Sequence, residues 1–373
     1  MKVSFFYAKN NKELIILIKI MKQKQPTKIT DLLISNKEKT KLRDKILSSV
    51  YLYKRKKQVQ YFAVAASITM LFSVVIFKSN QGSINQFIEI AKEKGTKKTN
   101  IELILTDKKK IDIKEKNSVI SYSKTGKKLT VGTSTFLQEK EPKASKSIKT
   151  VYNTLIVPYG KRSKLTLSDG SIVWLNSGSK LIFPITFNHQ VSKREVYLEG
   201  EAIFEVTHNK KQPFMVLCKN HQITVLGTVF NISNYLDEKN IKTTLKSGRV
   251  EIRYRKNIFM QKTIKIIPNT MAIYEKNSNT IQTKKVEVAP QFSWREGILI
   301  FKNDNLKFIM KKLSRYYNVA IEITNTDLAN QTFSGYLDLK DSLEKVLQII
   351  KVTSNFTYTH RQKIIIITKT LKI

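Results

Sequence analysis

The sequence predicts a single-pass membrane protein. A short basic segment is followed by one spanning helix, a mainly β domain (a sandwich or a β-helical stack) and a small C-terminal α+β domain. Three observations predict this. Tyr61 to Phe77 (YFAVAASITMLFSVVIF) runs for 17 residues without a charge, Pro or Gly. From about residue 100 to 288, short alternating runs are separated by turn signals about every eight to twelve residues. Beyond residue 297 helical spacing enters, interleaved with strands.

Composition sets the outer bounds. The chain has 373 residues, 41% of them hydrophobic, which at roughly 100–200 residues per domain suggests two or three modules. The apolar fraction is too high for a disordered chain. One cysteine, Cys218, excludes an intramolecular disulfide framework and a Cys-based zinc cluster. The formal net charge is +38, but lysine supplies 57 of the 67 basic residues and arginine 10. Arginine is the residue that phosphate and base recognition favour, and the excess is spread along the whole chain. Charge alone therefore assigns no polyanionic partner.

The 61–77 segment reaches about 25 Å as a helix, near the lower limit for a bilayer. Val59 and the stems of Lys57 and Lys78 extend it by snorkelling. Every face is apolar or small, which argues against a core helix with one buried stripe. Sixty residues precede it and no small-x-small cleavage pattern follows, which argues against a removed signal peptide. The Leu14–Ile18 run, ended by Lys19, is too short to span. Lys54, Arg55, Lys56 and Lys57 precede the segment, against Lys78 and Lys92 after it. The positive-inside rule then keeps residues 1–60 in the cytoplasm and exports 78–373. Residues 1–60 hold 16 Lys/Arg and 4 Asp/Glu.

Within that arm, Ser35-Asn36-Lys37-Glu38 fits a capping box. Leu42, Ile46, Val50 and Tyr53 then recur at helical spacing, with Leu47 and Tyr51 beside them. A lone stripe with a basic back has no core of its own. It packs against another copy or the membrane surface, or it docks in a partner's groove. Leu42, Ile46, Leu47 and Val50 are the candidate partner-binding residues. Residues 1–20 do not continue this unit, and Met21 is a second candidate start.

Residues 78–99 read as a polar linker and 100–290 as the β domain. Lys164–Leu167 and Ile172–Leu175 flank Asp169-Gly170, a hairpin signal. Further strands are expected at 196–198, 202–206, 214–217, 223–226, 243–245 and 250–252, with glycines at the breaks. Residues 294–370 form the last domain. A strand at 297–301 leads to a helix from Asn305 to Tyr317, then strands at 319–323 and 332–337. A second helix from Ser342 to Ile350 and a hairpin of 356–359 with 364–368 complete two helices on one sheet face.

The chain contains no H-E-x-x-H, C-x-x-C, G-x-S-x-G or P-loop string. Glu199, Glu201 and Glu205 share a strand face on odd spacing, but no histidine or metal partner accompanies them. His208 and His221 flank Cys218 in sequence without making a site. No catalytic, cofactor or metal residue is assigned, and an enzyme is not expected.

Several strings together resemble a known family. Residues 153–160 (NTLIVPYG), 165–176 (LTLSDGSIVWLN), 194–206 (REVYLEGEAIFEV), 225–231 (VLGTVFN) and 243–250 (TTLKSGRV) look like a FecR domain. Trp294-x-x-Gly297 and the α+β module resemble the C-terminal domain that accompanies FecR in Bacteroidetes, itself similar to the short N-terminal domain of secretins and TonB-dependent receptors. Two departures stand out. Asn269 occupies a turn where the family often has Pro-Gly, and residues 1–60 lack the usual anti-sigma pattern. The resemblance implies a transmembrane anti-sigma factor in the bacterial inner membrane, N-terminus cytoplasmic and C-terminal domains periplasmic. It would hold an extracytoplasmic-function sigma factor and receive its signal from a TonB-dependent outer-membrane transducer, without direct contact to nucleic acid. The alternative is a membrane-tethered binding protein for nucleic acid or a cell-wall polymer.

Overall fold

The computed structural model describes residues 36–79, 84, 99–137, 150–187, 191–219, 221–257, 260–354 and 356–370. It divides into two units, Met1–Gln81 and Gly82–Ile373. The Leu14–Ile18 run, Met21, the Ser35 half of the capping box and most of the 78–99 linker lie outside the described residues.

In the first unit, one helix of 44 residues, α1 (Asn36–Ser79), carries both the apolar stripe of the arm and the uncharged segment. The sequence reading placed a helix and a span there; the structure joins them. The joint from 54 to 60 (KRKKQVQ) contains no Gly or Pro and is rich in good helix formers, so nothing stops propagation. Among the described residues no helix is long and apolar enough to cross a membrane. The side chains at 71 and from 74 to the helix end fall outside that set.

The second unit begins with two facing sheets. One runs, neighbour by neighbour, through Lys110–Ile113, Ile101–Ile104, Tyr152–Val157, Ser179–Pro184, the first half of Arg194–Glu205, Phe214–Leu217, His221–Val225, Val250–Arg255 and Gln261–Ile266. The other runs through Ser134–Leu137, Lys128–Val131, Asn117–Tyr122, Arg162–Thr166, Ile172–Leu175, the second half of Arg194–Glu205, Val229–Asn234, Asn240–Ser247, Thr270–Glu275 and Thr280–Lys285. From residue 194 on, the chain lays successive strand pairs alternately into one sheet and the other. The result is a sandwich in which hairpins stack along the long axis.

Alternation within strands builds the core between the sheets. Val250, Ile252 and Tyr254 are buried while Arg253 and Arg255 point to solvent. Leu155, Leu198 and Ile223 from one sheet meet Leu165, Val173 and Phe230 from the other in a single cluster. Phe204 stacks on Phe230 at 5.1 Å and reaches Phe214 at 6.2 Å, a strand of the opposite sheet. The expected Asp169-Gly170 hairpin is present, with Ser163 opposite Leu175 and Thr166 opposite Ile172. Its carboxylate is held by Arg194, 1% exposed, whose Nη1 lies 2.6 Å from Asp169 Oδ2. Arg194 also donates to the Gln212 and Thr207 carbonyls. Asn269 adopts φ +61°, the left-handed turn geometry that Asn tolerates.

One strand belongs to both sheets. The reading expected separate strands at 196–198 and 202–206, whereas the structure has a single 12-residue strand, Arg194–Glu205. Glycine at position 200, at φ +92°, turns it from one sheet into the other. There the backbone sits against Ser179, whose hydroxyl accepts from Glu201 N at 2.8 Å and donates to Glu201 O at 3.0 Å.

After the sandwich come a short helix α2 (Ala289–Phe292), a 3₁₀ turn (Ser293–Glu296) and Gly297 at φ +80°. Phe292 and Trp294 cover Ile203 and Trp174 on the outer face of the second sheet. The last module has a strand at Ile298–Asn305, helix α3 (Leu306–Tyr317), a strand at Ala320–Ile323, helix α4 (Thr326–Asn330), a strand at Thr332–Asp338, helix α5 (Leu343–Thr353) and the hairpin Phe356–Arg361 with Ile364–Lys369. Asn305 caps α3 through Phe308 N, and Ser342 caps α5 through Lys345 N. The single sheet of the reading is corrected to two: Ile298–Asn305 pairs with Thr332–Asp338, while Ala320–Ile323 pairs in parallel with the final strand. Helix α4 separates the two middle strands and sends them to different partners. Leu306, Ile309, Leu313, Val346 and Leu347 hold the module together.

The shared strand generates a prediction. A Cβ at position 200 would lie 2.6 Å from Ser179 Cα and 2.7 Å from Gly178 O, on top of an unfavourable φ. Gly200→Val is expected to lower unfolding free energy by about 3 kcal/mol or more, by denaturant titration of the chain from Gly82. Gly132→Ala, at φ +57° with nothing within 4 Å of the new Cβ, should cost about 1 kcal/mol. Equal losses at the two positions would remove the steric account.

Candidate functional site

The sandwich and the α+β module meet at a junction built around the last turn of α3. Arg315, 5% exposed, lays its guanidinium over the Tyr235 ring at 3.5 Å. Its Nη1 bonds Glu238 Oε1 at 2.6 Å and its Nη2 bonds Asp237 Oδ1 at 2.8 Å. Lys311, one turn earlier, reaches Asp237 Oδ2 at 3.0 Å. The helix supplies both cations because positions four apart share a face; the turn after Val229–Asn234 supplies the ring and both carboxylates. Burial opposes the Arg315 charge, but Tyr235, Glu238 and Asp237 outweigh it and hold its pKa above the ordinary value. For Asp237, burial works upward and is overcome by Lys311 and Arg315, which leave the carboxyl below its ordinary value. Such a cluster, buried only at Arg315, adds little net stability but fixes how its partners face one another.

Backbone contacts close the same junction from the other side. Gly160 donates to the Arg315 carbonyl at 2.8 Å, and Arg162 Nη1 donates to Trp294 O at 3.1 Å. Arg162 also stands 4.6 Å over the Tyr316 ring. Arg295 bonds Glu205 at 2.8 Å. Gly160, the last residue of the family-like 153–160 string, and Arg162 thus hold the C-terminal module. Sequence carried no signal for this, because the pairing spans more than 150 positions.

Behind Tyr235 lies Glu201, 8% exposed, which accepts from Asn176 Nδ2 at 2.8 Å and Asn231 Nδ2 at 3.3 Å. The Tyr235 hydroxyl donates to Ser177 O at 3.0 Å. Burial, then Glu201, holds the Tyr235 phenol protonated well above its ordinary pKa. The other two glutamates go elsewhere: Glu199 pairs with Lys180 at 2.6 Å and Glu205 with Arg295. The three carboxylates are therefore structural, the bend at position 200 leaving Glu199 in the first sheet and Glu201 and Glu205 in the second. Asn176 and Asn231, each the last residue of a family-like string, are placed by this network.

Cys218 and His221 do come together, on the turn into His221–Val225. The Cys218 thiol is buried and pushed up to about 12, chiefly by desolvation, so it is no thiolate nucleophile. The His221 ring packs 5.4 Å from that of Tyr274, and burial, then Lys276, pushes its pKa down to about 4. His208 lies apart, against Gly227. Among the described residues no group of three His, Cys, Asp or Glu is placed to hold a metal ion.

On α1, Ile46 and Leu47 are each 55% exposed and Val50 is 46% exposed. The Leu42 side chain lies outside the described set. Tyr51, Leu52, Tyr53 and Val59 are exposed as well. Contiguous exposed apolar side chains on a helix of this kind mark a surface that something else covers.

Comparisons with known proteins address the second unit. Residues 153–251 match the profile of the FecR protein family, and residues 298–367 match that of the FecR C-terminal domain. Two crystal structures of a candidate anti-sigma factor from Parabacteroides distasonis ATCC 8503, at 1.65 and 2.50 Å resolution, superpose on the chain with a TM-score of 0.53 each. The first is 27% identical over 58% of this chain and 99% of its own, the second 26% over 59% and 100%. No curated protein matches the chain.

Burial of His221 carries a pH dependence. Its folded pKa of about 4 lies below the ordinary 6.5, so the unfolded chain binds the extra proton between those values. The stability it contributes is full above pH 6.5 and is lost as pH falls toward 4, by about 3 kcal/mol at most. His221→Phe should flatten the pH profile of unfolding free energy across that window. An unchanged slope would assign the effect to other groups.

Proposed function

The chain belongs to the FecR family, and from that premise we infer that it is a regulatory anti-sigma factor rather than an enzyme. The observation that carries this reading is the pairing of a FecR domain with a FecR C-terminal domain in the second unit, with the exposed apolar face of α1 in the first. Residues 1–60 hold an extracytoplasmic-function sigma factor in the cytoplasm, with Leu42, Ile46, Leu47 and Val50 toward it. Residues 61–77 cross the inner membrane once. The β domain at 100–290 and the module at 294–370 stand in the periplasm, where a TonB-dependent outer-membrane transducer delivers the signal.

Two further facts support the crossing. Every polar side chain between residues 62 and 73 turns back onto its own helix: Ser67 to Val64 O at 2.8 Å, Thr69 to Ala66 O at 2.9 Å and Ser73 to Met70 O at 2.8 Å. No hydroxyl there needs water, which is what hydrocarbon demands. Lys54 to Lys57 then sit at the cytoplasmic end, where the charge bias belongs.

The sigma-factor contact is tested by replacing Ile46 and Val50 with Asp and capturing the chain from membranes. Two buried charges without partners at a helix–groove interface cost several kcal/mol, so co-purified sigma factor should fall about 100-fold or more. Undiminished capture would remove the assignment. Salt-dependent DNA retention by the arm in its place would favour the tethered nucleic-acid binder.

Topology is tested separately. With Cys218 replaced by Ser, single cysteines are placed at exposed Ser49 and at exposed Thr135. An impermeant thiol reagent applied to cells with a permeabilised outer membrane should label the second and spare the first. Labelling of both, or of neither, contradicts a single crossing.

A further inference from the structure

Beside the Arg315 junction a cleft of about 690 Å³ opens between the sandwich and the α+β module. Its lining combines Lys242, Lys284 and Lys285 of the sandwich with Phe308, Lys312 and Arg315 of α3. Some basic groups there are neutralised: Lys302 pairs with Glu287 at 2.8 Å and Arg315 with Asp237 and Glu238. Among the described residues, Lys242, Lys284, Lys285 and Lys312 make no ion pair.

Two of these four converge. The Lys242 ammonium stands 4.6 Å from the centroid of the Phe308 ring and that of Lys312 stands 4.8 Å from the same centroid. A cation over a ring face gains a little, but two cations at one ring repel each other. Burial, and after it Lys312, holds the Lys242 pKa below its ordinary value, against the opposing pull of Glu238, Asp304 and Glu201 on the same lining.

We propose that this cleft is a binding site for a small organic dianion, a dicarboxylate or a diphosphate, which bridges Lys242 of the sandwich and Lys312 of α3. One anion there relieves the repulsion of the lysine pair. The volume suits a molecule of this class, since small-molecule sites occupy about 300–1,000 Å³. Because its two walls belong to different modules, the ligand stiffens their junction. The proposal stands apart from the sigma-factor reading, which concerns α1 alone.

The test uses the full-length chain in detergent, with thermal unfolding followed during addition of succinate or inorganic pyrophosphate at constant ionic strength. Glucose serves as the neutral control. A saturable rise of the midpoint with either anion is expected, and the more effective of the two identifies a carboxylate or a phosphate as the natural group. In Lys242→Met/Lys312→Met the stems remain over Phe308 while the charges go. Half-saturation should then weaken about 100-fold, about tenfold for each charged hydrogen bond lost. Lys108→Gln/Lys109→Gln, on an exposed turn outside the lining, should respond as the unaltered chain does. If the double Met variant melts early, Lys312→Met alone carries the same comparison. No response to either anion, or a response that survives in the Met variants, overturns the proposal and leaves only general screening of a basic chain.

Discussion

The second unit depends on one strand that must serve two sheets. Its first half pairs with Ser179–Pro184 and Phe214–Leu217, its second half with Ile172–Leu175 and Val229–Asn234. A strand shared in this way forbids the sheets to slide, since a one-residue slip in either half would turn core side chains such as Leu198 and Phe204 outward. The same strand also fixes polar chemistry at three depths. Arg194 closes the Asp169 turn at one end, Glu201 gathers Asn176 and Asn231 in the middle, and Glu205 receives Arg295 of the connecting turn at the other. A bend at position 200 is what lets one segment do this, and only glycine fits there.

Local structure was legible in the sequence where the cause is local. The Asp169-Gly170 hairpin and the helices read from Asn305 and from Ser342 are properties of a few adjacent residues, and each is present as read. Continuity of Arg194–Glu205 was not legible, because a glycine in a strand marks a break as readily as a bend. The division of the last module into two sheets depends on which distant strand each segment meets. Alternation gives the facing of a strand but never its partner. Helix α4 did leave a trace, Asn325 ahead of Asp327, an N-cap signal too short to carry periodicity. The junction and the cleft left none, since Tyr235 and Arg315 are 80 positions apart and each looks like an ordinary loop or helix residue.

Charge acquires meaning only once burial is known. A surplus of +38 spread over a surface is screened and weak. At the module junction one cation, Arg315, is withdrawn from water and its pairing becomes specific, with two carboxylates and a ring, while Arg295 with Glu205 and Lys311 with Asp237 stay partly exposed. These contacts are directional and few, and they add orientation to the apolar area that Phe292 and Trp294 bury against Ile203 and Trp174.

On the proposed topology, how such a change could reach the cytoplasm is constrained by α1 itself. From Asn36 to Ser79 the chain contains no glycine and no proline, and its hydroxyls bond within the helix rather than opening it. A helix of 44 residues is about 66 Å long and has no built hinge at the membrane boundary. A periplasmic event therefore cannot be absorbed by a bend near Lys54. It must turn or shift the whole rod, which carries Ile46 and Val50 with it, or it must cut the rod and free them. Both routes act on the same apolar stripe, so the stripe is where the two can be told apart: a shifted rod keeps its sigma factor at the membrane, whereas a severed one releases it together with residues 36–60.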